Sequence, residues 1–374
     1  SPRMNGLDMT EKVLATIRHN CDISDARDHG IYSICNLVLK LRNLYKWEHA
    51  IEPWQEPATP DLLDWIEAKE NYWETIVEEP YRPLVLAGRE VDPHDAAAVN
   101  GLLDEPGLYY GAGYGRSLKS IFFLAEKFRE EEAGGCPVVV LGRERATELA
   151  SPFAMLQDGV ILIRREPLRY FFWDHVQEIR SSVRLSLHHA LHRYGILRNG
   201  QLDQGLFRDR LDTIVDAELP IFIYHEVGEM LQEALDSDTL RRIIAVFPDS
   251  VIEFVVRAVK DVLADTHPEG MLGFIIRERR DASLGLYAGF LAGMRRELLP
   301  EITPAFEQFL RDRDWQGIER ARIACRDRNL GLAATIRAIA GYIGEEPDDQ
   351  VMQRFTAGVL TPLGLDAPQP QGRE

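Results

Sequence analysis

The sequence lacks any long apolar run, and no stretch approaches the roughly 18 uncharged apolar residues that a membrane-spanning helix needs. The start of the chain also lacks the apolar segment of a secretory signal. We therefore expect a cytoplasmic protein with no membrane partner. Its four cysteines, at positions 21, 35, 136 and 325, show no CxxC spacing, which argues against a disulfide framework or a cysteine zinc site.

Positive charge is scarce as well. The 374 residues include 43 lysines and arginines against 60 aspartates and glutamates, for a formal net charge of −17. A chain of this charge repels phosphate backbones, so we expect no nucleic-acid partner. The sequence also contains no GxSxG, Walker A or GxGxxG motif, so a serine hydrolase or a common nucleotide fold has no positive support. Whether the protein is an enzyme stays open at this stage.

Helical periodicity dominates both ends of the chain. Residues 10–79 repeat apolar side chains at steps of three and four, and Thr59, Pro60 and Asp61 form a helix start. The same period returns at residue 173 and continues to about residue 342. These patterns predict a helical N-terminal region and a larger helical C-terminal domain.

The middle of the chain differs, because short apolar runs bounded by glycine and proline replace the long periodic ones. Runs at 83–87, 138–141 and 160–163 predict strands, and the stretch 117–132 predicts a helix between the first two. We therefore predict an α-rich α+β protein in which a small α/β layer separates the two helical regions. The predicted segments are a helical region 1–80, an α/β domain 81–172, a helical domain 173–360 and a disordered tail 361–374.

The sharpest chemical motif is His225-Glu226-Val227-Gly228-Glu229, which follows an apolar run. On a helix, His225 and Glu229 lie about 40° apart and reach toward the same point. The motif resembles the HExxH signature of zinc metalloproteases, with glutamate in place of the second histidine. The resemblance implies that His225 and Glu229 bind a metal ion and that Glu226 is the general base.

Further ligands for such a site would have to come from nearby residues. Oxygen-rich ligand sets suit iron or manganese as well as zinc, so all three metals remain candidates. The alternative interpretation is a hydrogen-bonded His–Glu pair that only supports packing. The candidates for a third or fourth ligand are Glu218, Asp261, Asp265 and His267.

A glycine-rich segment, residues 107–119, precedes the predicted helix. Such a loop can direct backbone amides at an anion over a helix N-terminus, with basic and hydroxyl side chains beside it. The alternative is a flexible turn with tyrosines packed beneath it. The predicted anion-binding residues are Gly113, Gly115, Arg116, Ser117 and Lys119.

Residues 48–79 combine ten carboxylates with a single basic residue, Lys69. Four tryptophans, Trp47, Trp54, Trp65 and Trp73, fall in or beside this stretch. Aromatic anchors within an acidic surface are typical of docking sites for basic partners. If this is such a site, at least two of the four indoles should be exposed; otherwise they belong to a core under an acidic face.

Three functional hypotheses follow from these patterns. The leading one is a noncatalytic binding or regulatory protein that uses its helical, acidic and aromatic surfaces and binds a basic protein partner. The second is a metal-dependent, hydrolase-type enzyme built on the HExxE helix. The third is a small-anion-binding protein that uses the glycine-rich segment.

Overall fold

The computed structural model describes residues 4–103, 105–177 and 184–365. The chain divides into two compact units, Ser1–Asp174 and His175–Glu374, which we call the N-terminal and C-terminal units. Helices dominate both ends of the described chain and a curled sheet lies between them, which confirms the predicted α-rich α+β class. No helix in the described ranges is long and apolar enough to cross a membrane.

The N-terminal unit begins with helices. Ser33 caps the second of them, because its side chain accepts a hydrogen bond from the amide of Asn36. The third begins at Thr59 with proline in its first turn, close to the predicted start, but Ala58 rather than Thr59 is its N-cap residue. The helices are α1 (Met4–Asp28), α2 (Ile34–Glu48), α3 (Thr59–Ile76), α4 (Ala96–Leu102) and α5 (Arg165–Gln177), the last of which crosses the division between the units.

Seven strands accompany these helices in the described residues of the unit. They are β1 (Leu84–Leu86), β2 (Arg89–Val91), β3 (Leu108–Tyr114), β4 (Ser120–Ala133), β5 (Cys136–Ala146), β6 (Ala154–Gln157) and β7 (Val160–Arg164). β1 and β2 form a hairpin, and the other five form one sheet in the order β3-β4-β5-β7-β6. Only β5 and β7 run parallel in this sheet. The three predicted strands therefore lie at β1, within β5 and at β7.

The helix predicted over 117–132 is wrong, because this stretch forms β4. Phe122 and Leu124 pack into a core that α1 also lines, whereas Ile121 and Phe123 pack into a second core inside the sheet. A strand buried on both faces presents a continuous apolar run, which periodicity cannot distinguish from a buried helix. The local sequence was therefore ambiguous, and the packing of both faces decided the outcome.

The sheet curls until its two edge strands approach each other. Gln157 of β6 bridges them: its side-chain oxygen accepts from the amide of Ala112 (2.9 Å), and its side-chain nitrogen donates to the carbonyl of Tyr110 (3.1 Å). Both bonds reach β3, and the Gln157 side chain is buried. A buried amide thus satisfies backbone groups that a neighbouring strand would otherwise pair.

The C-terminal unit is helical apart from a minimal hairpin. Thr361–Leu363 form a short 3-10 helix, and residues 366–374 of the predicted tail lie outside the described residues. The elements are α6 (Arg184–Arg193), β8 (Leu197–Arg198), β9 (Gln201–Leu202), α7 (Gln204–Leu231), α8 (Ser237–Val246), α9 (Val251–Thr266), α10 (Met271–Arg277), α11 (Asp281–Phe290), α12 (Gly293–Leu298), α13 (Ile302–Asp312), α14 (Trp315–Ala340) and α15 (Asp348–Phe355).

Candidate metal site

Helices α7 and α9 pack closely against each other in the C-terminal unit. Gly228 of α7 makes this approach possible, because a Cβ atom built on it would lie 2.1 Å from the carbonyl oxygen of Ala264 in α9. Any larger residue would push the helices apart. The HExxE motif of α7 therefore lies directly against the C-terminal half of α9.

Three side chains that can bind a metal converge at this contact. His225 and Glu229 come from α7 and Asp261 comes from α9, and one ligand atom of each lies within 4.8 Å of the other two. The Nε2 atom of His225 is 3.9 Å from Oδ1 of Asp261. Three ligand atoms bound at about 2.1 Å from one ion lie about 3.0 to 3.6 Å from one another, so the group has to contract by about 1 Å or more to bind a metal ion. All three residues are half-buried.

The opposite nitrogen of His225 is held by a fourth residue. Its Nδ1 atom lies 2.5 Å from Oδ1 of Asp265, which is fully buried one turn after Asp261 on α9. The hydroxyl of Tyr287 donates to Oδ2 of Asp265 (2.9 Å), and the guanidinium of Arg295 contacts the same oxygen. A histidine that donates from Nδ1 to a carboxylate presents Nε2 to a metal ion, an arrangement that is usual for metal-binding histidines.

The electrostatics of the cluster follow from burial and from these pairs. Burial disfavours a charged imidazole, but the Asp265 carboxylate outweighs burial and raises the pKa of His225 to about 10. Burial also favours a neutral Asp265, yet Arg295 and His225 hold the pKa of that carboxyl below its usual value. In the absence of metal, the pair is therefore an imidazolium and a carboxylate, and a metal ion competes with a proton for Nε2.

The two glutamates of the motif differ in their partners. Burial raises the pKa of Glu226 to about 7. Burial also raises the pKa of Glu229 above its ordinary range, although the ammonium of Lys260 lies 3.1 Å from its Oε2 atom and opposes this. Lys260 also donates to the hydroxyl of Ser237 (3.2 Å), so its ammonium group is held between Glu229 and Ser237.

The other predicted ligands lie elsewhere in the unit. Glu218 is fully buried, where it accepts hydrogen bonds from the hydroxyl of Tyr194 and from the hydroxyl of Ser283 (3.0 Å). His267 follows the end of α9, and its Nδ1 atom accepts a hydrogen bond from the amide of Glu269 (3.0 Å). Neither belongs to the convergent group. Asp265 also lies outside this group, because it contacts the opposite nitrogen of His225 and holds the imidazole from behind.

The glycine-rich segment does not form the predicted anion site. Gly113 lies inside β3, and the amides of Gly115 and Leu118 are bonded to the carbonyl oxygens of Lys119 (2.8 Å) and Gly115 (3.1 Å). Arg116 and Ser117 lie in a 3-10 turn, Arg116–Leu118, that leads into a strand instead of a long helix. The amides of Gly115 and Leu118 are therefore already bonded within the turn and cannot donate to a bound anion.

Lys119 has an internal role instead of an anion-binding one. Its ammonium is fully buried between Asp25 (3.0 Å) and Glu148 (2.8 Å), and it also donates to the hydroxyl of Ser24 (2.7 Å). A buried ammonium needs partners of this kind, because an unpaired charge in the interior is costly. Lys119 therefore joins α1 to the sheet.

The tryptophans near the acidic stretch are engaged within the N-terminal unit. Trp73 is only 1% exposed and donates to Asp22 (3.2 Å), and the other three are half-buried. Trp47 donates to the carbonyl of Glu144 (3.0 Å) and Trp65 donates to Glu48, whereas Trp54 packs edge-on against Trp173. The expectation of at least two exposed indoles is not met, because α2 and α3 use the rings of Trp47, Trp65 and Trp73 to pack their inner faces.

Comparison with known proteins gives the chain a family. The N-terminal domain model of the family of unknown function DUF6866 matches residues 12–164, and its C-terminal domain model matches residues 169–358. The chain belongs to this family. The converging His225, Glu229 and Asp261 thus lie within the C-terminal domain of DUF6866. No curated protein and no solved structure matches the chain.

Proposed function

We propose that the C-terminal domain of this DUF6866 protein binds a divalent metal ion through His225, Glu229 and Asp261. The observation that carries the proposal is the convergence of these three side chains, with Asp265 fixing the imidazole from behind. One nitrogen and two carboxylate ligands suit manganese, iron or zinc. Water molecules complete the coordination, since three protein ligands leave positions open.

A buried carboxylate in the same motif suits water activation. Glu226 lies between two of the proposed ligands in sequence and is buried, with 8% of its surface exposed. A metal ion held by His225, Glu229 and Asp261 would supply Lewis-acid activation of water, and Glu226 would be the group that takes up the proton. The proposed activity is therefore metal-dependent hydrolysis. The alternative function, a docking surface for a basic protein, required exposed tryptophans, and the four indoles are buried or half-buried instead.

Metal analysis tests the first half of the proposal. Protein purified without added metal should contain about one bound ion per chain, or take one up after chelator treatment when titrated with Mn²⁺, Fe²⁺ or Zn²⁺. Asp261→Asn should weaken binding by at least about a hundredfold, since even residues behind the ligands change affinity by about 10 to 100 times. Asp238→Asn is the matched control, because Asp238 is 90% exposed on the neighbouring α8. Equal affinity of the two variants, or no uptake by the unmodified chain, contradicts the proposal.

A second variant separates binding from catalysis. Glu226→Gln should retain the metal ion but lower metal-dependent hydrolysis of chromogenic phosphate or carboxylate esters by about 10² to 10⁴ times, because the base is lost and the ligands are kept. A metal-loaded, unmodified chain that hydrolyses no ester would refute the catalytic half and leave a metal-binding domain.

A further inference from the structure

Two adjoining cavities lie in the N-terminal unit, distinct from the metal ligands. Their volumes are about 250 and 360 Å³, and both are lined by Trp47, Arg143 and Glu166. Together they fall in the range of about 300 to 1,000 Å³ that is usual for small-ligand sites. We call this pair of cavities the arginine cleft. We propose that the arginine cleft binds a small organic anion that carries a phosphate or carboxylate group.

The strand β5 sets the positions of two arginines in the cleft. Side chains alternate along a strand, so Arg143 and Arg145 point to one face and Glu144 points to the other. Glu144 is buried and pairs with the buried Arg164 (2.9 Å). A third arginine reaches the same place from α1, because the Nε atom of Arg18 donates to the carbonyl of Arg145 (2.8 Å). The smaller cavity is lined by all three arginines, 18, 143 and 145.

The charges around the cleft are unevenly satisfied. Arg145 pairs with Glu126 (2.8 Å), whereas Arg18 and Arg143 contact no carboxylate within the ranges that the structure describes. Glu166 accepts a hydrogen bond from the amide of Glu144 (2.7 Å), and burial raises its pKa to about 7. The other lining carboxylates already have cationic partners: Asp22 and Glu48 pair with Lys69, Asp25 with Lys119, Glu52 with Arg169 and Glu144 with Arg164.

Arg18 and Arg143 therefore keep guanidinium donors from which an anion can accept hydrogen bonds. In a chain of net charge −17, two arginines without carboxylate partners converge on one cavity. The planar guanidinium group matches the geometry of carboxylate and phosphate groups and binds them with two parallel hydrogen bonds. The ring of Trp47 lines both cavities and offers an apolar wall to the organic body of the ligand. An anion with a small apolar body therefore fits both features.

Titration of the full chain with inorganic phosphate and with succinate tests this proposal and distinguishes the two anionic groups. Intrinsic tryptophan fluorescence, to which Trp47 contributes as one of six tryptophans, and calorimetry report binding, and sodium chloride keeps the ionic strength constant. We expect at least one probe to bind with a Kd of about 1 mM or tighter. Arg143→Gln and Arg18→Gln should each weaken binding about tenfold or more, because each removes a charge-assisted hydrogen bond.

Arg89→Gln is the matched control, since Arg89 is exposed on β2 of the same unit and has no partner in the described chain. It should leave binding unchanged, and Arg143→Lys should restore only part of the affinity, because lysine keeps the charge without the planar fork. The proposal is overturned if neither probe binds at about 10 mM. It is equally overturned if Arg89→Gln weakens binding as much as Arg143→Gln. Binding should survive Asp261→Asn, so this outcome is independent of the metal site.

Discussion

The substitution Gly228→Ala would test whether the close approach of α7 and α9 creates the metal site. The added Cβ atom would lie 2.1 Å from the carbonyl oxygen of Ala264 and 2.8 Å from its carbonyl carbon. Ordinary contacts begin at 3.4 Å, so the two helices would have to separate by about 1 Å. The obstacle is a backbone carbonyl, so no change of side-chain rotamer relieves it.

The magnitude follows from two opposing effects. Overpacking a fitted contact costs about 1 to 3 kcal/mol, whereas alanine in place of glycine favours a helix by about 1 kcal/mol. We therefore expect a net loss of about 1 kcal/mol in the free energy of unfolding, within a range of about 0 to 2 kcal/mol. For a unit of this size, a loss of about 1 kcal/mol lowers the melting temperature by about 2 to 4 °C. Ligand distances in a metal site must hold to about 0.2 Å, so a 1 Å displacement should impair metal binding more than stability.

Differential scanning calorimetry and metal titration measure both effects. Gly331→Ala in α14 is the matched control, because a Cβ atom there meets nothing within 4 Å. It should leave metal binding intact and leave stability unchanged or slightly higher. If Gly228→Ala kept both the melting temperature and the metal affinity of the parent chain, the reasoning about the α7–α9 contact would be refuted.

Two further predictions concern stability. Hydrogen bonds from Arg328 lower the pKa of Glu301 to about 2, so the stabilisation from this pair is present above about pH 4.5 and is lost as pH falls through about 2. In acid-unfolding curves, Glu301→Gln should therefore lower the free energy of unfolding by about 1 kcal/mol at pH 7 and by nothing below pH 2. The control variant Glu297→Gln, at an exposed position, should match the parent chain at every pH. Gly111→Ala should destabilise the N-terminal unit by about 1 to 3 kcal/mol in denaturant unfolding, because the added Cβ atom would lie 2.1 Å from the Phe123 ring. Adding Phe123→Leu to this variant should recover some of the lost stability. No recovery would contradict this packing argument.

Some of the architecture could be predicted because the signals were local. The start of α3 is one case, since threonine, proline and aspartate at 59–61 act on the first helical turn alone. The strand β4 could not be predicted in this way, because its apolar run is buried on both faces by α1 and by the curl of the sheet. Its secondary structure depends on distant packing, to which local periodicity is blind.

The candidate metal site shows the same limit. His225 and Glu229 share one helix, so their spacing alone predicts that they face the same point. The choice of Asp261 over the other candidates depends on how α7 packs against α9, and the close approach at Gly228 is part of that packing. Tyr287 and Arg295, which hold Asp265 in place, come from α11 and α12 and carried no motif. The sequence alone predicted that His225 and Glu229 share a helix face, whereas Asp261, Tyr287 and Arg295 are brought to them by the tertiary fold.

The bridge formed by Gln157 has a consequence for self-association. An edge strand with unpaired amides is a template on which another copy of a chain can add, and repeated addition leads to aggregation. Because Gln157 occupies the amide of Ala112 and the carbonyl of Tyr110, the exposed side of β3 cannot be extended at these positions. The buried side chain of Gln157 thus blocks intermolecular β-pairing at these two positions of β3.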